Sequence, residues 1–182
     1  MRKVKNEDHS EDRDSWLEGI MDEYGERLTK LAYNYVKDWS MAEDIVQDVF
    51  VTCFKHYEKI DEIKSFKAWI YRLIINRSKD VLKSSSFKRV VMNSSLFSLF
   101  TSKEPLPEMS VLKRNEEEIL SRCVLALPVK YREVITLYYY EDCSIDEIKG
   151  LLGLNRNTIK IRLTRGRAKL RKMMERWDHD GK

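Results

Sequence analysis

The 182-residue sequence has little of what interrupts a helix: six glycines and three prolines in all. With apolar residues recurring every three or four positions, that scarcity argues for helix nearly throughout. Cysteine is equally sparse. Cys53, Cys123 and Cys143 are odd in number, far apart and in no CxxC spacing, which speaks against a disulfide framework or a structural zinc site. No run approaches the ~18 apolar residues of a membrane span. The charged start, with Glu7, Asp8, Glu11, Asp12 and Asp14, lacks the apolar stretch of a signal peptide. Histidine is confined to the isolated His9, His56 and His179, and there is no HExxH, no glycine-rich phosphate loop and no GxSxG elbow. These absences leave little room for an enzyme, call for no metal or cofactor, and lead to the expectation of a soluble, cytoplasmic protein with reduced thiols.

What is present points to two small helical units rather than one large core, since 42% hydrophobic residues in a chain of this length support only modest cores. Residues 1–13 read as a charged, frayed tail. A stripe of Trp16, Ile20, Tyr24, Leu28, Leu31 and Tyr35 predicts a first helix. A second is expected from Ser40, where Ser40-Met41-Ala42-Glu43 has the form of a capping box, with Ile45, Val49, Cys53 and Phe54 buried. A third spans about 66–82 through Trp69, Ile70, Leu73 and Ile74. Together these make a unit over 14–85. From 86 to 109 serine pairs and Glu104-Pro105-Leu106-Pro107 break the pattern into a linker. Within it Leu96-Phe97-Ser98-Leu99-Phe100 is apolar enough to pack on one of the chain's own domains or to dock on a partner.

Helical patterns resume over 110–177, at roughly 111–127, 129–141, 144–152 and 156–176, and 178–182 read as a short tail. Ser144-Ile145-Asp146-Glu147 is another capping-box sequence, and Gly153 is placed to end the short helix in the left-handed conformation. Asn155 is placed to cap the next helix, in which Ile159 and Leu163 face inward. A short helix, a tight turn and a longer basic helix make a helix-turn-helix. The formal net charge is only +4, yet residues 154–176 hold nine Lys or Arg against the single acid Glu175, whereas residues 1–27 hold nine acids against five cations. The basic segment suits a polyanion.

A basic helix alone is as often a solvated face. Behind a capped helix and a glycine turn it fits the major groove of duplex DNA, where Lys and Arg reach base-edge acceptors. Lys160 and Arg165 are the candidates for base contacts, with Thr164 beside them. Arg156, Asn157, Thr158 and Arg162 sit where the start of such a helix would meet phosphates.

Residues 42–50, Ala42-Glu43-Asp44-Ile45-Val46-Gln47-Asp48-Val49-Phe50, followed by 66–76, Phe66-Lys67-Ala68-Trp69-Ile70-Tyr71-Arg72-Leu73-Ile74-Ile75-Asn76, and then Asp80, resemble domain two of extracytoplasmic-function (ECF) sigma factors of the sigma-70 family. The stretch from Leu127-Pro128 through Arg165-Gly166-Arg167 resembles domain four. The resemblance covers about residues 16–175, with the two motifs in the family's order. It implies an all-α protein of two helical domains, sigma region 2 and sigma region 4, joined by a flexible linker. It implies promoter recognition on behalf of core RNA polymerase, without catalysis. By the same resemblance Asp44, Gln47 and Asp48 dock on the polymerase clamp, although acids on a helix surface are usually only solvated.

The stretch 65–76 is implied to capture the minus-ten strand, with Ser65, Phe66, Lys67 and Asn76 supplying an apolar surface and polar groups for an unstacked base. Lys79 and Lys83, with Lys88 and Arg89 beyond them, would neutralise phosphates. Trp69, an aromatic at helical spacing, is assigned to the core. The basic helix would read the minus-thirty-five element, where two departures from the family's pattern, Asn157 and Ile161, bear on sequence preference. Ile161 is suited to a thymine methyl group. The implied partners are core RNA polymerase, promoter DNA and an anti-sigma factor, often membrane-bound, with the free protein a monomer. The competing reading is a free-standing helix-turn-helix regulator, which predicts a dimer that binds duplex DNA tightly without polymerase.

Overall fold

The computed structural model describes residues 4–84 and 116–180, with side chains described over 12–84 and 117–177. The apolar stretch 96–100, Lys88, Arg89 and the linker lie outside these residues. The chain divides into two compact units, residues 1–80 and 81–182. The described residues form α1 (Val4–Val36), α2 (Trp39–Lys55), a 3-10 helix (Tyr57–Glu62), α3 (Phe66–Lys83), α4 (Glu116–Ala126), α5 (Val129–Tyr139), α6 (Ile145–Leu152) and α7 (Arg156–Asp180), with no strand among them.

In the first unit α1 packs along α2, burying Ile20, Leu28, Leu31, Ala32 and Tyr35 against Ala42, Ile45, Val46, Val49 and Cys53. α1 takes in residues 4–13, expected as a frayed tail. No glycine or proline occurs before Gly19, so nothing stops a helix once it is nucleated further along. The Arg13 guanidinium lies 3.9 Å from the centre of the Phe54 ring, which ties this extension to α2. Only Lys37 and Asp38 separate α1 from α2. Lys37 adopts the left-handed conformation (φ 57°) and its amide donates to the Tyr33 carbonyl at 2.8 Å.

The start of α2 corrects the sequence reading. Its cap is Asp38, whose carboxylate accepts the amide of Met41 at 2.9 Å, and Ser40 already lies inside the first turn. α3 buries Ile70, Tyr71, Ile74, Ile75 and Ser78, and Arg77 reaches Asp48 on α2. Trp69 and Leu73 flank this face half-buried, because the buried stripe runs one residue to their side.

In the second unit α4 and α5 form a hairpin through Leu127-Pro128. The buried guanidinium of Arg132 holds it closed, donating to the carbonyl of Leu125 at 2.5 Å and of Leu127 at 3.0 Å, at the end of α4 where carbonyls lack helical partners. Cys123, Val124, Leu127, Val134, Ile135 and Leu137 form the core with Ile148 and Leu151 of α6. Ile159 and Leu163 of α7 complete it, each contributing about 1.5–3 kcal/mol through burial. α7 continues to Asp180, into the stretch read as a tail.

Candidate nucleic-acid interface

α6 starts as its sequence predicts: Ser144 Oγ accepts the Glu147 amide, and Glu147 accepts the Ser144 amide at 2.7 Å. It ends at Gly153 (φ 67°), whose amide donates to the Lys149 carbonyl at 3.0 Å. Two residues later Asn155 Oδ1 accepts the Thr158 amide at 2.8 Å and starts α7. The turn is set by these last two local bonds, and α7 is held against the unit by Ile159, Leu163 and the buried Gly166.

With about 100° per residue, that buried line leaves Asn157, Lys160, Ile161, Thr164 and Arg165 on the outward arc, Ile161 and Thr164 lying between Lys160 and Arg165. All five are exposed, Ile161 at 50%. Lys160 and Arg165 have no ion-pair partner among the described residues, so their charge is available to a polyanion. The other candidates differ. Arg156 is exposed but forms a bidentate pair with Asp146 of α6, Nε to Oδ1 at 2.5 Å and Nη2 to Oδ2 at 2.6 Å. Thr158 is half-buried at the cap. Arg162 is half-buried too, with Nη1 2.8 Å from Oε1 of Glu133 on α5.

In the first unit Asp44, Gln47 and Asp48 are exposed on one ridge of α2, as positions three and four apart must be. Asp48 also accepts from Arg77, an exposed pair worth at most about 1 kcal/mol. Gln47 borders a groove of about 620 Å³ between α1 and α2, floored by Val46, Phe50 and Phe54.

The residues assigned to the minus-ten strand are not all brought together. Ser65 Oγ accepts the Ala68 amide at 3.3 Å and begins α3. Phe66 packs edge-on against Trp16 and Tyr24, each 5.8 Å between ring centres, and lies 5.7 Å from Trp69. Tyr57 and His56 extend this cluster through Trp16 and Trp69. Lys67 lies 5.7 Å from the Tyr71 ring and Lys79 5.9 Å from the Tyr35 ring. Asn76 and Lys83 are exposed. Around α3, Asn76 and Lys83 share a line with Trp69, while Lys67 lies about half a turn away. The core assignment of Trp69 is therefore corrected: it is half-buried and on the same line as Asn76. His56 gave no periodic signal, because it stands between α2 and the 3-10 helix that Tyr57 begins.

Among the described residues no helix is long and apolar enough to cross a membrane, and no group of three or more His, Cys, Asp or Glu is placed to hold a metal ion. Fold and surface define a helix-turn-helix DNA-binding protein that carries a separate helical unit. Residues 20–87 match Sigma-70 region 2, and residues 117–170 match Sigma-70 region 4. The ECF RNA polymerase sigma factor SigW of Bacillus subtilis is 29% identical over 170 residues, 90% of each chain. RNA polymerase sigma factor SigV of the same organism is 28% identical over 149 residues, 82% of this chain and 85% of SigV.

Among solved structures, the sigma factor RpoE of Bartonella quintana, in complex with the anti-sigma factor NepR, superposes with a TM-score of 0.64 at 19% identity, covering 87% of this chain and 96% of RpoE. CnrH, in complex with the cytosolic domain of CnrY, gives 0.59 at 22% identity, covering 87% of each. The chain belongs to the sigma-70 family of RNA polymerase sigma factors, as a member of its ECF type.

Proposed function

We propose that this protein mounts on core RNA polymerase in the cytoplasm and directs it to particular promoters, with residues 14–85 holding the polymerase and the melted minus-ten strand and residues 110–177 holding the upstream duplex. The observation that carries the reading is the presence of two chemically different surfaces on one short chain. One is the exposed Lys160 and Arg165, without an ion pair among the described residues, flanking Ile161 and Thr164 on a helix of groove-fitting form. The other is the half-exposed aromatic cluster around Phe66 and Trp69, continued along α3 by Asn76 and Lys83.

On the duplex side Lys160, Ile161, Thr164 and Arg165 read bases while Arg156, Asn157 and Thr158 meet phosphates at the start of α7. On the strand side the ring cluster replaces lost base stacking, Ser65 and Asn76 supply polar groups, and Lys67, Lys79 and Lys83 supply charge. Asp44, Gln47 and Asp48 form the polymerase contact. Strand separation draws on binding energy for the unstacked bases, so the chain carries no catalytic residue and takes no cofactor. Free in solution it is a monomer, and an anti-sigma factor holds it inactive; the structurally similar RpoE is in complex with the anti-sigma factor NepR.

The test separates the two surfaces. Lys160→Ala or Arg165→Ala is expected to weaken recognition of the upstream duplex by about 1–3 kcal/mol per lost base contact. Asn76→Ala is expected to spare duplex recognition and slow formation of the open complex. Equal losses in both assays for both kinds of substitution would contradict the division.

A further inference from the structure

One cation of α7 is placed unlike the others. Arg162 lies roughly 160° around the helix from Lys160 and Thr164, on the side that meets α5. Its side chain is 23% exposed and pairs with Glu133, whose side chain is 5% exposed. Four residues further along that same seam Gly166 comes so close to α5 that a β-carbon there would stand 3.1 Å from Ile135 Cγ1. The ion pair and the glycine thus lie on one line of α7 and both meet α5, the glycine through Ile135 and Tyr131 and the arginine by reaching Glu133, about half a turn around α5 from those two. A carboxylate as buried as that of Glu133 needs a cation, and Arg162 turning outward to a phosphate would leave it without this one.

We infer that Arg162 is a positioning residue: anchored on Glu133, it sets the rotation of α7 about its own axis and thereby aims Lys160, Ile161 and Thr164 at the groove, and it does not touch DNA. The inference rests on the reading of α7 as the recognition helix. It departs from the sequence-based assignment of Arg162 to a phosphate. A planar guanidinium suits the task, because its fork restricts rotation where an ammonium acts as a point charge.

The test uses the full chain bound to core polymerase, a selected promoter and the same promoter with its upstream element scrambled, titrated across salt concentrations. Glu133→Gln leaves Arg162 in place and alters a residue too buried to reach DNA. It and Arg162→Gln are both expected to lower the ratio of selected to scrambled binding by roughly ten-fold, within the range set by loss of one base contact. The salt slope of Arg162→Gln should stay at the wild-type value, and Arg162→Lys should restore part of the ratio. A wild-type ratio in Glu133→Gln, or a salt slope reduced by about one in Arg162→Gln, overturns the inference.

Thermal melts establish that each variant folds. If Glu133→Gln does not, Glu133→Asp, which retracts the carboxylate by one methylene, carries the same comparison. A ratio that Lys160→Ala also leaves unmoved overturns the recognition-helix reading itself, and this inference with it.

Discussion

A β-carbon placed on Gly166 would stand 3.1 Å from Cγ1 of Ile135 and 3.6 Å from Cβ of Tyr131. The glycine therefore sits mid-helix for closeness rather than for a special backbone conformation, and α7 lies so near α5 that an added methyl group requires the Ile135 side chain to give by a few tenths of an ångström. Gly166→Ala sets a helix-propensity gain of about 1 kcal/mol against that contact and should leave the melting temperature nearly unchanged. Gly166→Val overpacks the seam and should destabilise the second unit by about 1–3 kcal/mol, with upstream-duplex recognition weakened alongside. Thermal unfolding and duplex binding check both; a Val variant as stable as wild type would show that α7 can ride further from α5 without loss.

The start of α2 yields a paired test. Asp38 makes the capping bond and Ser40 does not. Asp38→Ala should cost about 1 kcal/mol, whereas Ser40→Ala should be within about 0.5 kcal/mol of wild type. Denaturant midpoints of the two variants decide between the caps. The reverse order would reinstate Ser40.

Lys37 occupies a left-handed conformation at the end of α1, where its β-carbon is a steric cost. Lys37→Gly removes that cost and should stabilise the protein by up to about 1 kcal/mol. The same substitution one helical turn earlier, at Tyr33, should destabilise it. Unfolding midpoints measure the contrast.

Burial of Cys53 between α1 and α2 pushes its thiol from the ordinary 9.0 up to about 12. Because the folded state favours the neutral thiol, this contribution to stability is fully present below about pH 9 and is lost as the pH rises toward 12. Two measurements follow. Alkylation of Cys53 in the native protein at pH 8 should be far slower than in the denatured chain. The decline of melting temperature above pH 9 should be shallower in Cys53→Ala than in wild type.

The elements were legible where their determinants are local. Ser144 with Glu147, Gly153 and Asn155 each act within three or four positions, so the helix-turn-helix could be read with its caps and with its outward residues. What escaped depends on distant partners. Glu133 and Arg162 are 29 positions apart, and nothing in the spacing of α7 distinguishes a cation that faces DNA from one that is claimed by another helix. The ring cluster draws on Trp16 and Tyr24 from α1 and on Phe66 and Trp69 from α3. A helical stripe places Trp69 near the core without saying that its edge stays open. Ser40 misled because it heads a valid S-x-x-E pattern, while Asp38 two positions earlier is the residue left outside the helix.

Run-off transcription with purified core RNA polymerase and a promoter library, with and without this protein, measures whether the chain directs initiation. Adding the protein is expected to select a defined subset of start sites that share upstream and minus-ten elements, with Lys160→Ala and Asn76→Ala each weakening the selection at a different step. An unchanged set of start sites in its presence, together with no association between the protein and core polymerase, would contradict that role.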